Sequence, residues 1–383
     1  MRQHAAPNRG RRGAMRLFRS IGLMSGTSMD GVDVALIETD GESEVRLGPF
    51  LCRPYSDDDR VLLRRALEDA RGIQDRSARP GVLPGAERIL TERHLEAIEA
   101  FLDTNEIDRG TIDIIGFHGQ TVLHRPESHL TVQIGDGHEL ARRLGVPVAF
   151  DFRAPDVAAG GHGAPLVPVF HRALAEAAGL ELPAVIVNLG GVANLTYLAE
   201  RGADPLAWDT GPSNALLDDW IYKHTGAAMD EGGRIAASGK PDEAALRHLL
   251  AHPYFALPPP KSLDRNAFSL AAVESLALAD AAATLVAFTA ESVAHAIRQL
   301  PARPKRLIAA GGGTRNPIIM AEISRRTGLA VEPAESLGWS ADAMEAQAFA
   351  YLAVRSRAGL PLTFPTTTGV PRPMTGGRLA EAA

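Results

Sequence analysis

One short segment of the sequence is dense in small, hydroxylated and acidic residues. It consists of Gly26, Thr27, Ser28, Met29, Asp30, Gly31, Val32 and Asp33. Glycine lets the backbone approach a ligand closely, and successive N–H groups with Ser and Thr hydroxyls form a nest for phosphate. The carboxylates of Asp30 and Asp33 suit a hydrated Mg²⁺ ion. The alternative is an ordinary hairpin turn, because Asp, Gly and Ser are common turn residues.

A second candidate is Asp209, which follows the apolar segment 206–208 and precedes a predicted helix. A carboxylate between a strand end and a helix N-terminus can act as a general base beside a bound phosphate group. The alternative is that Asp209 only closes a turn, with Ser213 or Asn214 as the helix N-cap. Because similar glycine-containing strand ends recur in this chain, we favour the catalytic interpretation.

Glycine-rich turns follow two later apolar runs, at 184–187 and 306–310. Their glycines are Gly190 and Gly191 in one turn and Gly311, Gly312 and Gly313 in the other. Bare backbone at such turns can admit a purine ring or a ribose at close range. Each turn taken alone is equally compatible with a flexible connection.

Polar side chains follow two further apolar strands. His118, Gln120 and Thr121 come after one strand, and Asp151 and Arg153 come after the other. Their hydrogen-bonding and anion-pairing groups are those that a polar, carboxylated sugar needs. The alternative is a set of buried polar groups that satisfy one another under loops. The sequence has no His-Glu-x-x-His or similar spacing, so we predict no histidine metal ligands.

These candidates need a scaffold that brings strand ends together. Short apolar runs that end in polar residues or glycine alternate with helical stretches, which is typical of an α/β sheet with its site at the strand ends. The strand–turn–strand pattern recurs in both halves, which predicts two related α/β lobes. We expect a disordered basic extension over residues 1–19, an N-terminal lobe with the phosphate hairpin and sugar loops over 20–181, and a C-terminal lobe with Asp209 and the nucleotide loops over 182–383.

Composition narrows the class of protein. The chain has 383 residues and a formal net charge of −6, but residues 1–19 carry six arginines and no acid, so the remainder carries −12. Such an acidic body is a poor nucleic-acid binder. The single cysteine, Cys52, excludes a disulfide framework, and no run of eighteen apolar residues predicts a membrane span. We expect a cytoplasmic protein with small-molecule partners.

The basic extension has no apolar core after its arginines, which argues against a secretory signal. We interpret it as a disordered segment or as the product of a start codon upstream of Met15. An arginine-rich transit peptide is the alternative.

Taken together, the motifs resemble those of the anhydro-N-acetylmuramic acid kinase family over about residues 20–375. The matching segments are 22–31 (GLMSGTSMDG), 118–121 (HGQT), 131–135 (TVQIG), 151–153 (DFR), 158–168 (AAGGHGAPLVP), 188–191 (NLGG), 209–212 (DTGP), 259–262 (PPKS), 311–313 (GGG) and 344–346 (MEA). Each motif alone is unspecific, whereas their number and order make the resemblance specific.

The resemblance implies a two-lobed fold of the sugar-kinase, heat-shock ATPase and actin type that closes around an interdomain cleft. It implies ATP, Mg²⁺ and the substrate 1,6-anhydro-N-acetylmuramic acid, whose anhydro bond is hydrolysed and whose O6 is phosphorylated in one step. Asp209 would activate the attacking water, and the segment 26–33 would bind the ATP phosphates. Glu345 would be an acid near the site, and His118, Gln120 and Arg153 would contact the sugar. The resemblance leaves a homodimer open.

Two departures from the family pattern fall near Asp209. In the first, the family has Pro-Lys-Ser-Thr-Gly-Arg-Glu-x-Phe, whereas this chain has a proline followed by KSLDRNAF at 261–268. In the second, Ser213 replaces a glycine of the family pattern. Two other interpretations therefore stay open at this point. One is a kinase of the same superfamily that acts on another sugar or acid, and the other is a nucleotide-binding relative that has lost phosphoryl transfer.

Overall fold

The computed structural model describes residues 16–26, 29–264 and 267–382. Its strands are β1 (Phe18–Met24), β2 (Gly31–Thr39), β3 (Val45–Pro54), β4 (Ile114–Phe117), β5 (Gln120–Arg125), β6 (Leu130–Ile134), β7 (Val148–Phe150), β8 (Ala184–Leu189), β9 (Val192–Leu198), β10 (Leu206–Pro212), β11 (Arg306–Ala310), β12 (Val331–Pro333) and β13 (Arg378–Ala380). Its α-helices are α1 (Asp57–Ala70), α2 (Leu83–Thr104), α3 (Gly137–Leu144), α4 (Ala154–Ala158), α5 (Pro168–Ala177), α6 (Asn214–Thr225), α7 (Arg234–Ser238), α8 (Glu243–Leu250), α9 (Leu278–Arg298), α10 (Pro317–Thr327), α11 (Met344–Arg357) and α12 (Pro365–Thr368).

The first lobe is built on a six-stranded sheet in the order β13-β7-β4-β1-β2-β3. β1, β2 and β3 form an antiparallel meander, while β4 and β7 continue the sheet parallel to β1. Apolar residues of α1, α2 and α3 pack on one face of this sheet and form its core. The carboxyl ends of β1, β4 and β7 therefore lie along one edge, where α/β proteins place their ligands.

The second lobe repeats this topology in a five-stranded sheet, β10-β9-β8-β11-β12. Here β8, β9 and β10 form the antiparallel meander, and β11 and β12 run parallel to β8. The apolar face of α9 packs against this sheet and against α6, α8 and α10. The repeated order confirms the predicted two-lobed α/β fold.

The end of the chain returns to the first lobe. β13 pairs with β7, and α11 packs across β1, β2 and β4. This helix approaches closely because Gly22 and Gly116 have no side chains: a Cβ at either position would overlap the backbone carbonyl of Ala346 or Phe349. This helix therefore packs on the first sheet although it falls within the predicted C-terminal lobe, 182–383. At the other end, β1 begins at Phe18, inside the predicted extension.

A further apolar cluster joins the two lobes beneath the space between them. It combines first-lobe residues such as Ala149 with Ile186 and Ile308 of the second sheet and with Phe349 of α11. Burial of these side chains fixes the base of the cleft, because separating the lobes there would expose apolar surface.

The stretch 269–299 does not form one continuous helix. A 3₁₀ turn at Leu270–Ala272 precedes α9, and the extended backbone of Ala277 (φ −63°, ψ 152°) separates the two. Across the described ranges, we find no helix with the length and apolar character needed to cross a membrane.

Candidate active site

A cleft between the lobes contains two adjoining cavities of about 690 and 420 Å³. Six residues line both cavities, so we treat them as one site. These are Met24, Arg153, Ala164, Gly190, Gly312 and Glu345. They come from both sheets and from the first turn of α11, which means that the fold brings together segments far apart in the sequence.

The turn between β1 and β2 contributes Gly26 and Asp30 to the larger cavity, and Asp33 lines the smaller one. Met29 has φ 56°, and its N–H donates to the Gly26 carbonyl at 3.2 Å, which closes the turn. The other predicted phosphate-binding residues have different positions. Met29 and Val32 are buried in the core, Gly31 packs against the backbone of Arg53, and Thr27 and Ser28 lie outside the described residues.

Asp33 lies in an acidic environment. Burial raises the pKa of its carboxyl, a hydrogen bond with Cys52 lowers it, and the nearby charges of Asp342 and Asp30 raise it again. A cation next to this carboxyl would favour its ionised form. Cys52 lies opposite Asp33 in the β2–β3 register, so the sheet itself holds this hydrogen bond in place.

The second lobe presents glycine backbone to the same cleft. Gly190, Gly191 and Gly312 line the larger cavity, and Gly311 lines the smaller one. The backbone N–H groups of Ser213 and Asn214 donate to the carbonyls of Gly191 and Gly190, both at 3.0 Å, which fixes the β8–β9 turn on the start of α6. Gly313 is buried behind this wall, against Leu189.

Asp209 lies in β10, at an irregularity in its pairing with β9, and lines the smaller cavity. The Leu263 N–H donates to its Oδ2 at 2.7 Å, and its own N–H donates to the Lys261 carbonyl at 3.0 Å. Burial raises the pKa of Asp209 to about 7, although the Leu263 hydrogen bond lowers it. A general base works best with a pKa near the operating pH, so this carboxylate is suited to accept a proton at neutral pH.

The segment that contains Tyr254, Lys261 and Leu263 holds Asp209 in place. Local sequence patterns did not indicate this role. The Tyr254 hydroxyl donates to the Asp209 carbonyl oxygen, and the Lys261 ammonium donates to the Tyr254 carbonyl at 3.1 Å. Lys261 also lies 4.6 Å from the centre of the Tyr254 ring. The Pro259–Ser262 motif was the signal that could have located this segment, because it falls in the family pattern without an evident local role.

On the first-lobe side, His118 and Arg153 form a hydrogen-bonded pair. The Arg153 Nε donates to His118 Nε2 at 3.0 Å, and His118 Nδ1 lies 2.7 Å from the Gly119 carbonyl oxygen. Burial first and the Arg153 charge second hold the pKa of His118 well below its usual value, so the ring is neutral and donates from Nδ1. The Arg153 Nη1 donates to the Gly163 carbonyl at 2.7 Å, which fixes the guanidinium in the cleft.

Gln120 and Thr121 also line the larger cavity. The Ser25 hydroxyl donates to Gln120 Oε1 at 2.7 Å and lies 2.8 Å from the Tyr55 hydroxyl. The Gln120 Nε2 is buried and has no hydrogen-bond partner among the described residues. A donor left in this state is costly unless a ligand accepts from it.

Glu345 lies in the first turn of α11 and lines both cavities. Burial raises the pKa of this carboxyl, the Arg153 charge lowers it, and the Asp33 charge raises it. The cleft therefore contains three carboxyl groups with raised pKa values: Asp209 from the second lobe, Asp33 from β2 and Glu345 from the helix that packs on the first lobe.

Asp151 does not line the cleft, unlike the other predicted sugar contacts. It lines a separate cavity of about 310 Å³, where the Arg76 Nη2 donates to its Oδ1 and Oδ2 at 2.6 and 2.8 Å. The physical reason is the backbone of Asp151, whose φ of 59° turns the chain between β7 and Arg153. Asp151 and Arg153 consequently face different cavities.

Among the described residues, no group of three His, Cys, Asp or Glu side chains is arranged to hold a metal ion. A divalent cation in this cleft would therefore need ligands from a bound substrate or from water. Mg²⁺ commonly binds in that way, with one or two carboxylates and phosphate oxygens.

Two lobes of one topology, a cleft lined by glycine turns and a buried carboxylate beside it are compatible with a small-molecule kinase. Residues 18–381 match the family model described as "Anhydro-N-acetylmuramic acid kinase". The chain belongs to the anhydro-N-acetylmuramic acid kinase family.

Curated relatives carry the same description. One from Nitrobacter winogradskyi is 56% identical over 363 residues, covering 94% of this chain and 99% of the relative. One from Methylobacterium nodulans is 56% identical over 374 residues, covering 95% of this chain and 100% of the relative. Nearly the whole chain thus aligns with proteins of this description.

Solved structures of other proteins are similar at a lower level. A xylulose kinase from Brucella ovis gives a TM-score of 0.46 at 12% identity, covering 96% of this chain and 95% of that one. A ROK family glucokinase from Streptomyces griseus in complex with glucose and AMPPNP gives a TM-score of 0.37 at 14% identity, with coverages of 88% and 99%.

Proposed function

We propose that this protein uses ATP and water to open 1,6-anhydro-N-acetylmuramic acid and to phosphorylate its O6, giving N-acetylmuramic acid 6-phosphate. The observation that carries the proposal is Asp209, a carboxylate with a pKa of about 7 that lines the cleft opposite the β1–β2 turn. Family membership supplies the substrate class. The reaction belongs to peptidoglycan turnover and amino-sugar catabolism.

Asp209 acts as the base in this proposal. It accepts a proton from a water molecule while the water oxygen bonds to C1 of the sugar and the C1–O6 bond breaks. The freed O6 bonds to the γ-phosphorus of ATP, the bond to the bridging oxygen of ADP breaks, and Asp209 later releases its proton to solvent. The Leu263 N–H, 2.7 Å from Oδ2, orients the carboxylate so that its other oxygen is available to the water.

The two glycine-containing walls bind the nucleotide in this proposal. Gly26, Gly190, Gly191 and Gly312 line the larger cavity, and none of them has a side chain that would keep a ligand away from its backbone. Backbone groups at such turns can approach phosphate and ribose closely, and phosphoryl transfer depends mainly on positioning and charge stabilisation. Gly311 lines the smaller cavity, and Gly313 is buried behind the same turn against Leu189.

Asp33 and Asp30 fit a Mg²⁺ ion that accompanies the nucleotide. Burial is the main cause of the raised pKa of Asp33, and the charges of Asp342 and Asp30 add to it, so a divalent cation held by Asp33 and Asp30 would favour the ionised form of Asp33. When bound, Mg²⁺ neutralises charge on the phosphate oxygens during transfer. The chain's own part is to hold Asp33 in the β2 strand, where Cys52 of β3 lies beside it.

The first-lobe residues His118, Gln120, Thr121 and Arg153 are the proposed sugar contacts, with Glu345 as a neighbouring acid. Arg153 supplies positive charge for an anionic sugar, and the unpaired Gln120 Nε2 supplies a donor. Asp151 does not belong to this set because it lines a different cavity. We also propose a cytoplasmic location and a homodimer, and light scattering of the purified protein tests the dimer.

A coupled assay of ADP release with the anhydro sugar, followed by mass analysis of the product, tests the function. We expect a product that has gained both water and a phosphoryl group, and much slower turnover with a panel of ordinary hexoses. Faster turnover with any of those hexoses, or a product that keeps its anhydro ring, would overturn the proposal.

A further inference from the structure

The cavity that contains Asp151 lies in the first lobe, outside the cleft. It has a volume of about 310 Å³, and we call it the arginine cavity. Its lining residues are Arg76, Ser77, Arg79, Phe117, His118, Gly119, Gln133, Ile134, Gly135, Phe150, Asp151 and Arg378. These residues follow or end β4, β6 and β7, and the loop between α1 and α2 and the start of β13 complete the wall.

Three guanidinium groups line this cavity against a single carboxylate, Asp151. Arg76 pairs with Asp151, and Arg79 pairs with Glu87, which lies outside the lining, at 2.9 and 3.1 Å. Arg378 has no ion-pair partner within the ranges that the structure describes, and its guanidinium carbon lies 5.4 Å from the centre of the Phe150 ring. The lining therefore has an excess of positive charge.

The number of arginines exceeds what ion pairing inside the cavity needs. Arg76 pairs with Asp151 and Arg79 pairs with Glu87, so Arg378 is the guanidinium that neither pair accounts for. Cations gathered in one concave site repel each other unless an anion joins them. Arginine matches phosphate and carboxylate groups through paired N–H donors, so a phosphate group is an anion that such a site can recognise.

The remaining wall suits the organic part of a small ligand. Phe117 and Phe150 contribute apolar surface, and Ser77 contributes a hydroxyl group. The Gln133 Nε2 donates to Thr131 and Thr121, which leaves its Oε1 without a partner in the described part of the chain. A ligand hydroxyl could donate to this acceptor after a small movement of the amide. The volume is at the lower end for small-molecule sites.

We propose that the arginine cavity binds a small phosphate monoester, independently of the catalytic cleft. Arg76 and Arg378 hold the phosphate group, and Phe150 and Phe117 contact its carbon chain. The cavity shares His118 with the cleft, and the backbone turn at Asp151 places Arg153 on the other side of the same wall. His118 therefore borders both cavities and is hydrogen-bonded to Arg153 of the cleft.

Titration calorimetry of the full-length protein with glycerol 3-phosphate tests this site. Saturating AMPPNP, Mg²⁺ and anhydro sugar fill the cleft first, so that binding there does not contribute. Glycerol is the neutral control ligand, and inorganic phosphate shows whether the carbon chain contributes to affinity. We expect one remaining site for glycerol 3-phosphate and no binding of glycerol.

Arg378→Gln is the deciding variant, because its side chain is exposed and its loss leaves no buried group unpaired. We expect it to weaken binding of glycerol 3-phosphate by at least about tenfold, since a charge-assisted contact is lost. Arg76→Gln should have a similar or larger effect. Arg46→Gln, which removes an exposed arginine of β3, is the matched control and should bind like the wild type.

Three results would overturn the proposal. The first is the absence of glycerol 3-phosphate binding to the wild type under these conditions. The second is unchanged binding in Arg378→Gln, which would place the ligand elsewhere. The third is equal weakening in Arg46→Gln, which would indicate a general effect of net charge.

Discussion

The two walls of the cleft differ in the way they present polar groups. The first-lobe wall, formed by Ser25, His118, Gln120 and Arg153, consists of side chains that hydrogen bonds hold in place. The second-lobe wall presents the bare backbone of Gly190, Gly191 and Gly312, together with the Asp209 carboxylate.

The two walls should therefore respond differently to amino-acid substitution. A wall of side chains depends on which residue stands at each position, because each donor belongs to a particular group. A wall of glycine backbone keeps its N–H groups whatever the sequence, but any added Cβ changes its shape. We therefore expect substitutions on the first-lobe wall to affect discrimination among sugars and those on the second-lobe wall to affect nucleotide binding and stability.

The largest effect is expected from Asp209→Asn, which removes the proposed general base from the second-lobe wall. Asparagine keeps an acceptor for the Leu263 N–H but cannot take a proton from water. Turnover should fall by roughly 10²–10⁴-fold, the range for loss of a general base. The dissociation constant of AMPPNP should change by less than about twofold. Turnover within tenfold of the wild type would mean that another group is the base.

The same variant tests the pKa of Asp209 through stability. The pKa of Asp209 is about 7 in the folded protein and 3.8 in the unfolded chain. As the pH rises between these two values, the unfolded chain releases the proton while the folded protein still holds it. The wild type should therefore lose at most about 4 kcal/mol of stability across this window, whereas Asp209→Asn should not. Urea unfolding at pH 4, 5.5, 7 and 8 measures the difference, which should grow up to pH 7 and then remain constant. A difference that does not vary with pH would contradict the raised pKa.

A smaller effect is expected from Gly311→Ala, which adds a Cβ to the second-lobe wall. Gly311 has φ 85°, and the new atom would overlap Asn188 Oδ1 and lie 2.9 Å from the Leu189 carbonyl oxygen. Gly338→Ala is the matched control, since Gly338 has φ 74° but nothing within 4 Å of the added atom.

Both variants share the cost of a left-handed backbone, about 1 kcal/mol, and Gly311→Ala should lose about 1–3 kcal/mol more. Urea unfolding measures this difference, and ADP titration should show weaker binding only for Gly311→Ala. Equal losses in the two variants would show that the close contacts at Gly311 are unimportant.

The smallest effect is expected from Arg153→Lys on the first-lobe wall. Lysine keeps the charge but cannot donate both to His118 at 3.0 Å and to Gly163 at 2.7 Å. The KM for the anhydro sugar should rise about tenfold, while the KM for ATP stays within about twofold. Arg172→Lys, a half-buried arginine outside the cleft, is the control. A rise in the KM for ATP instead would assign Arg153 to the nucleotide.

Sequence reasoning located the features that depend on local patterns. The β1–β2 hairpin and the strand before Gly311 were predictable because apolar runs and glycine turns mark them directly. Contacts between distant segments were not predictable in this way. Leu263 donates to Asp209 across 54 residues, and Arg76 pairs with Asp151 across 75 residues.

Asp151 and Arg153 show the limit most clearly. They are two residues apart, both polar, and both follow a strand, so the sequence predicts one role for both. The φ of 59° at Asp151 turns the chain between them, and a non-glycine residue in this conformation is not foreseeable from residue type. The sequence assigns both residues to the sugar site. In the structure Arg153 lines the cleft, whereas Asp151 lines the arginine cavity.

The return of the chain end to the first sheet has a consequence for the order in which the protein can fold during synthesis. All strands of the second sheet lie between Ala184 and Pro333, so that sheet can form as soon as those residues are made. The first sheet must wait for α11 to cover its face at Gly22 and Gly116, and for residues 378–380 to supply its outer strand. The lobe that the ribosome begins first is the one that is completed last.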